Sequence, residues 1–360
     1  MRLAEILTAH WPAYVAKFGR LIPEEQRAAV RAILRCRTPA LGGQRYRCAC
    51  GREHLAYHSC NHRACPRCGL DDAAAWLAQQ RTRLLPAPYF LITFTLPEEL
   101  REPIRAAMKP WYGALLKASA GALQDLAADP KYLGAQLGLS AMLQTWTRDL
   151  RYHPHVHVLV PGGGLTPNRL RWVRLPDAEF FLPQVKLASR FKGRLKTWLK
   201  QDEPALFQQV PAKVWWCRWV ADVQPVGSGE AALKYLARYL AKPPLHESQI
   251  ELWDAQSVTF RYRDNAGSQH RSTLSGQEFL RRFLQHVLPK GFQRVRHYGW
   301  RGAAARTKWE RILALLDWKS PALVTPPPLP SPKCPACGKS MFLIGTLPRA
   351  PTQRRWPLKG

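Results

Sequence analysis

His153-Pro154-His155-Val156-His157-Val158-Leu159-Val160 runs into Pro161 and three glycines, Gly162 to Gly164. His155, His157 and Leu159 interleave with Val156, Val158 and Val160. That period of two reads as a β-strand with histidines on one face and valines on the other. Pro154 sits where the strand begins and the glycines where it ends, which suits an interior strand. Imidazoles at i and i+2 project the same way and can share one metal ion. A strand with two solvated histidines has the same pattern, so the choice between them rests on the rest of the chain.

The chain has 360 residues, enough for two or three domains. Lys and Arg number 54 against 25 Asp and Glu, a formal charge of +29, which calls for a polyanionic partner. Nucleic acid is the first candidate and an acidic membrane surface the second. No apolar run is long enough to span a bilayer, and the N-terminus has no secretory cleavage pattern. A cytoplasmic, DNA-associated protein with no membrane partner is therefore expected. In that reducing setting the nine cysteines read as metal ligands rather than disulfides. Several tryptophans adjoin cations, as in Trp215-Trp-Cys-Arg-Trp219, an arrangement suited to stacking on bases, although core packing is the commoner use of tryptophan.

Residues 1–35 read as an N-terminal helical segment and residues 36–70 as a zinc-binding module. Cys65-x-x-Cys68 is a knuckle that holds two thiolates in one tight turn, and Cys48 with Cys50 forms the second pair for a tetrahedral Zn²⁺ of structural type. Cys60, His54, His58 and His62 lie in the same stretch and leave the ligand set open. Residues 71–317 read as one α+β domain. Its expected strands are Tyr89–Leu96, the histidine stretch and Val214–Val223, with a hairpin over 246–275; Leu139–Thr147 reads as either strand or helix. Residues 318–360 read as a proline-rich linker and a basic, disordered tail. That tail carries a second knuckle, Cys334-x-x-Cys337, which could join Cys36, join another chain or stay empty.

Ser228 to Lys242 is a helix with clear ends: Ser228 can cap it, Glu230 complements its dipole and Pro243-Pro244 stops it. Tyr235 and Tyr239, at i and i+4, share one face, with Arg238 and Lys242 beside them. Between Arg281 and Arg311, basic residues interleave with Phe283, Phe292, Tyr298, Trp300 and Trp309. Arg281, Arg282, Arg294, Arg296 and Arg301 are the expected DNA contacts there, against the plainer reading of a solvated basic face.

A divalent ion on His155 and His157 could polarise a phosphate oxygen, and a tyrosine hydroxyl could attack that phosphorus. The resulting phosphotyrosine conserves the bond energy, so rejoining needs no nucleoside triphosphate. In keeping with this, the chain has no G-x-x-x-x-G-K-[ST] stretch.

The sequence resembles the HUH-type, two-tyrosine, rolling-circle transposases of bacterial insertion sequences over about residues 10–340. The resemblance rests on Cys50-Gly51, Ser59-Cys-Asn-His-Arg-Ala-Cys-Pro-Arg-Cys68, His153 to Gly164, Tyr235-Leu-Ala-Arg-Tyr239, Phe279 to Pro289 and Arg296-His-Tyr-Gly299. It implies a five-stranded antiparallel sheet flanked by helices, with both histidines on the central strand. It further implies Mg²⁺ or Mn²⁺, single-stranded DNA at transposon ends and target, and Tyr235 and Tyr239 as nucleophiles forming 5′-phosphotyrosine. A third metal ligand from a polar side chain is also implied, with His153 the candidate on the same strand face and Cys60 a further candidate for the zinc. Either a monomer or an oligomer is compatible with this pattern. The alternatives are a replication initiator or relaxase with related nickase chemistry, and a zinc-dependent DNA-binding protein. A zinc module ahead of the nuclease and the lack of a helicase motif favour the transposase.

Overall fold

The computed structural model describes residues 2–68, 70–175, 177–179, 181–241, 244–264, 266–324 and 331–350. The chain opens with α1 (Arg2–Phe18) and α2 (Glu24–Arg35), the latter amphipathic with Ala29, Val30 and Ile33 buried. A small hairpin, β1 (Gly43–Arg47) and β2 (Glu53–Tyr57), leads to α3 (Leu70–Arg81). β3 (Tyr89–Thr95) enters the main sheet, followed by α4 (Arg101–Ala106) and the long α5 (Met108–Ala128). Then come β4 (Gly138–Trp146), β5 (Tyr152–Pro161) and the short pair β6 (Gly163–Leu165) and β7 (Trp172–Arg174). α6 (Gln184–Asp202), α7 (Pro204–Gln208), β8 (Val220–Pro225) and α8 (Glu230–Ala241) follow. The last third holds β9 (Ile250–Trp253), β10 (Ser257–Arg263), β11 (Gln269–Ser275), α9 (Gly276–Leu284), β12 (Val295–Gly299), α10 (Arg306–Leu316) and β13 (Phe342–Leu347).

The main sheet has five strands in the order β12-β4-β5-β3-β8, every pair antiparallel. The histidine strand β5 lies at its centre, as expected, and the undecided stretch around Leu139–Thr147 is strand β4. Both faces of the sheet are covered. Val156, Val158 and Val160 pack into the larger core with Trp111, Leu115 and Leu123 of α5 and Phe191 and Leu195 of α6. On the opposite face Leu159, Met142 and Tyr89 meet Leu233 and Leu236 of α8, flanked by Trp76 and Leu77 of α3. Burying each such leucine is worth about 1.5–3 kcal/mol, enough to fix α8 over the histidine face.

A second core does not follow the expected domain boundaries. Leu3, Ile6 and Trp11 of α1 and Ile33 of α2 pack with Val258 and Phe260 of β10 and Phe279 and Phe283 of α9. The approach of α1 to α9 is so close that a Cβ on Gly276 would lie 2.0 Å from His10 Nδ1. Residues 1–35 and the stretch around the 246–275 hairpin thus share one core, although more than 200 residues separate them. The hairpin itself is the antiparallel pair β10–β11, widened by β9 into a three-stranded sheet.

The tail also departs from expectation. β13 pairs antiparallel with β1, from Gly43 opposite Leu347 to Arg47 opposite Phe342, making a three-stranded sheet β13-β1-β2. The segment read as linker and tail therefore returns to the N-terminal module; residues 351–360, expected to be disordered, lie outside the described residues. Among the described residues, no helix is long and apolar enough to cross a membrane.

Candidate active site and metal centres

Pairing across the sheet brings polar side chains to the α8 face. His157 stands opposite Thr93 of β3 and Met142 of β4, and His155 stands opposite Thr95 and Gln144. The two imidazole centroids are 4.8 Å apart, and both rings are buried. Burial pushes His155 down to about 3, helped by neighbouring His157, and pushes His157 down to about 4. Both rings are therefore neutral at physiological pH, the form that can ligate a metal.

Hydrogen bonds orient them. His155 Nδ1 donates to the His153 carbonyl at 2.7 Å, which leaves the lone pair on Nε2. His157 Nδ1 lies 3.0 Å from Thr93 Oγ1, and its Nε2 lies 3.1 Å from Gln144 Oε1. Backbone carbonyls and hydroxyls bonded to the far ring nitrogen are the usual way a ligating histidine is held. Gln144 Oε1 can only accept, so His157 Nε2–H donates to it here; ligation of an ion by Nε2 would need the proton moved to Nδ1 and donated to Thr93 Oγ1. Gln144 is the polar side chain that sequence reading missed. His153 is on the same strand face but only half-buried, and Arg101 Nη2 sits 3.4 Å from its Nδ1. With that cation beside it, His153 suits a further cation less well than Gln144 does.

Helix α8 brings Tyr235 over the pair. Its ring is 5.7 Å from that of His157 and nearly perpendicular to it, at 87°. Two contacts set the helix start. Gly229 has φ +81° and lies so close to Tyr89 that a Cβ there would be 2.7 Å from the ring, while Glu230 accepts from Arg81 Nε of α3 at 2.9 Å. Tyr239 and Arg238 fall one turn further along the α8 backbone; their side chains, and Lys242 altogether, lie outside the described residues.

The cysteines form two tetrads, not one. Cys65 and Cys68 join Cys36 and Cys60, whereas Cys48 and Cys50 join Cys334 and Cys337. The expected single set of Cys48, Cys50, Cys65 and Cys68 is corrected accordingly: β1 and β2 carry the first pair away from the knuckle that closes on α2. In the first tetrad Cys68 is 3.6 Å from both Cys36 and Cys60, and Cys65 is 3.6 Å from Cys36, sulfur to sulfur. Zinc with bonds of 2.3 Å sets its sulfurs about 3.8 Å apart, so this donor set fits a structural ion. His62 is not among the ligands; its Nδ1 accepts from the Ala64 amide at 3.2 Å.

The basic stretch is largely used inside the protein. Arg301 is buried at 2% exposure and donates to the Arg83 carbonyl and to Gln80 Oε1, which removes it from the expected DNA contacts. Arg281 and Arg282 both pair with Glu278, at 2.6 and 2.8 Å. Arg294 lies over the Trp146 ring and Arg296 over the Phe292 ring, both half-buried. Phe283, Phe292 and Trp300 are core residues rather than stacking platforms.

Two family models match the chain: one described as "Putative transposase", over residues 138–308, and one described as "Transposase zinc-binding domain", over residues 6–96. The "Putative transposase y4qJ" of Sinorhizobium fredii (strain NBRC 101917 / NGR234) is 34% identical, over 95% of this chain and 94% of that protein. The chain belongs to the IS91/IS801 family of transposases. Within that family, the "Transposase for insertion sequence element IS801" of Pseudomonas savastanoi pv. phaseolicola is 28% identical, over 75% of this chain and 68% of that protein. No solved structure matches. The transposase match spans β4, β5 and α8, which carry Gln144, the two histidines and Tyr235, while β3 with Thr93 lies ahead of it.

Proposed function

We propose that this transposase nicks and rejoins single-stranded DNA at the ends of an insertion sequence, with Tyr235 and Tyr239 as nucleophiles and His155, His157 and Gln144 as ligands of a divalent ion. The observation that carries this reading is the perpendicular approach of Tyr235 to His157 above the central strand. Bound there, Mg²⁺ or Mn²⁺ would polarise a non-bridging oxygen of the scissile phosphate. The tyrosine Oη gives up its proton to water and bonds to phosphorus as the bond from phosphorus to the 3′ oxygen breaks. That oxygen takes up a proton, leaving a 3′ hydroxyl and a 5′-phosphotyrosine. Attack by a free 3′ hydroxyl reverses the step, so joining needs no triphosphate. A second tyrosine one helical turn away allows two DNA ends to be held in succession.

The test is an end-labelled single-stranded oligonucleotide carrying the element's terminus, incubated with protein and Mn²⁺ and resolved under denaturing conditions. The wild type gives a labelled protein band, and Tyr235→Phe with Tyr239→Phe gives none. His155→Ala with His157→Ala loses the band but keeps single-strand binding, because affinity comes chiefly from phosphate contacts. Gln144→Ala raises the Mn²⁺ needed for half-maximal adduct, on the order of 10–100-fold. An undiminished band from the double phenylalanine variant places the nucleophile elsewhere. An unchanged Mn²⁺ requirement in Gln144→Ala removes that residue from the ligand set.

A further inference from the structure

The second cysteine tetrad lies outside what the family matches account for. The zinc-binding match ends at residue 96 and the transposase match at 308, yet half of this tetrad is Cys334 and Cys337. Cys48 Sγ lies 3.4 Å from Cys337 Sγ, and Cys50 Sγ lies 3.7 Å from Cys334 and 3.8 Å from Cys337. These spacings are far above the 2.05 Å of a disulfide and match the sulfur–sulfur edge of a tetrahedral zinc thiolate, about 3.8 Å.

The backbone around the sulfurs is built in the same way on both sides. Cys50 is followed by Gly51 at φ +88° and Cys337 by Gly338 at φ +71°, so each pair ends in a left-handed glycine that turns the chain back. On one side the Gly51 amide donates to the Cys48 carbonyl at 2.9 Å and the Cys48 amide to the Arg52 carbonyl at 2.8 Å. On the other the Gly338 amide donates to the Cys334 carbonyl and the Cys334 amide to the Lys339 carbonyl, both at 2.8 Å. Two facing turns, a Cys-x-Cys and a Cys-x-x-Cys each closed by a glycine amide, thus present four thiols to one point. Cys48, Cys334 and Met341 are buried together, with Tyr46 packed against them, while Cys50 and Cys337 face solvent.

We infer that Cys48, Cys50, Cys334 and Cys337 bind a second structural zinc ion that clasps the C-terminal segment onto the N-terminal ribbon. A two-stranded hairpin such as β1–β2 is marginal by itself. The clasp supplies β13 as its third strand, from a cysteine pair that begins 284 residues beyond Cys50. The ribbon is therefore a split domain, complete only when the last part of the chain is present. A reduced thiol cluster with nothing bound would leave Cys50 and Cys337 open to reaction, and the clasp closes them off.

Purified full-length protein, reduced and exchanged into metal-free buffer without chelator, is analysed for zinc and pulsed with iodoacetamide before mass spectrometry. Two zinc ions per chain are expected. Cys217 is exposed and belongs to neither tetrad, so it should alkylate while Cys50 and Cys337 stay protected. The Cys334→Ser, Cys337→Ser variant should hold one zinc ion and expose Cys48 and Cys50, with Cys36, Cys60, Cys65 and Cys68 still protected. One zinc per wild-type chain, or labelling of Cys50 and Cys337 at the rate of Cys217, overturns the inference without any need for the variant to fold. Retention of two zinc ions by the variant overturns it as well.

Discussion

Neutral, buried imidazoles are the chemical basis of the site, and they leave a mark on stability. Alongside His155 and His157, the fold buries His286, held down to about 3 chiefly by burial while its ring bonds to the Leu150 carbonyl, and His297, held down to about 4 chiefly by burial. Each starts from an ordinary value of 6.5, so below pH 6.5 the unfolded chain takes up protons that these folded rings refuse. Their contribution is present in full above about pH 6.5 and is lost as pH falls toward 4 and 3. In protein that keeps its zinc but is free of Mg²⁺ and Mn²⁺, the urea midpoint should therefore drop steeply between pH 7 and 5. A midpoint that is flat across that interval would mean that the histidines titrate normally. Sequence alone did not pick out Gln144 because Met142 on the histidine face and Thr145 beside it interrupt the polar–apolar alternation of β4.

At the level of elements, the local signals carried well and the distant ones did not. Alternation in β5 gave a strand with a valine face and a histidine face, and both faces hold. The start signals of α8 gave its first residue to within two, and the helix is described as far as Ala241, just short of the expected stop. The cysteine grouping was not legible from spacing, because each pair finds its partners through strand pairing and helix packing: β13 reaches β1, and Cys36 ends α2. The second core was hidden for the same reason, as its halves lie at opposite ends of the chain. The element on which the proposed chemistry depends most is the start of α8. Gly229→Ala puts an L side chain at φ +81° and drives a methyl to within 2.7 Å of the Tyr89 ring. Strain and overpacking together should cost about 1–3 kcal/mol. Because the helix can relieve the clash only by lifting from β3, covalent adduct should fall by more than the loss of folded protein explains. Equal losses in melting and in adduct yield would show that α8 re-seats without moving Tyr235.

Over the whole molecule, the count of 54 Lys and Arg overstates the cations offered to DNA, since several are occupied within the fold. Arg281 and Arg282 are paired to Glu278, Arg301 is buried, and Lys213 pairs with Glu99 at 3.0 Å. The tryptophan-rich turn is sorted in the same way: Trp215 and Trp219 are buried, while Trp216 is 84% exposed. Trp216 precedes the edge strand β8 and is followed by Cys217 and Arg218, both exposed. A flat ring beside an exposed guanidinium is the usual platform for a single strand: the ring stacks a base and the cation meets a phosphate. The two terms separate experimentally. Arg218→Ala should flatten the slope of log affinity against log salt by about 0.7, the contribution of one single-strand phosphate contact. Trp216→Ala should weaken binding by about 1–3 kcal/mol at every salt concentration and leave the slope alone, because stacking releases no counterions. Titrations of a fluorescent oligonucleotide between about 50 and 200 mM salt would resolve both. If neither variant differs from the wild type, the strand does not pass over this edge of the sheet. If Trp216→Ala changes the slope, the ring acts by positioning Arg218 rather than by stacking.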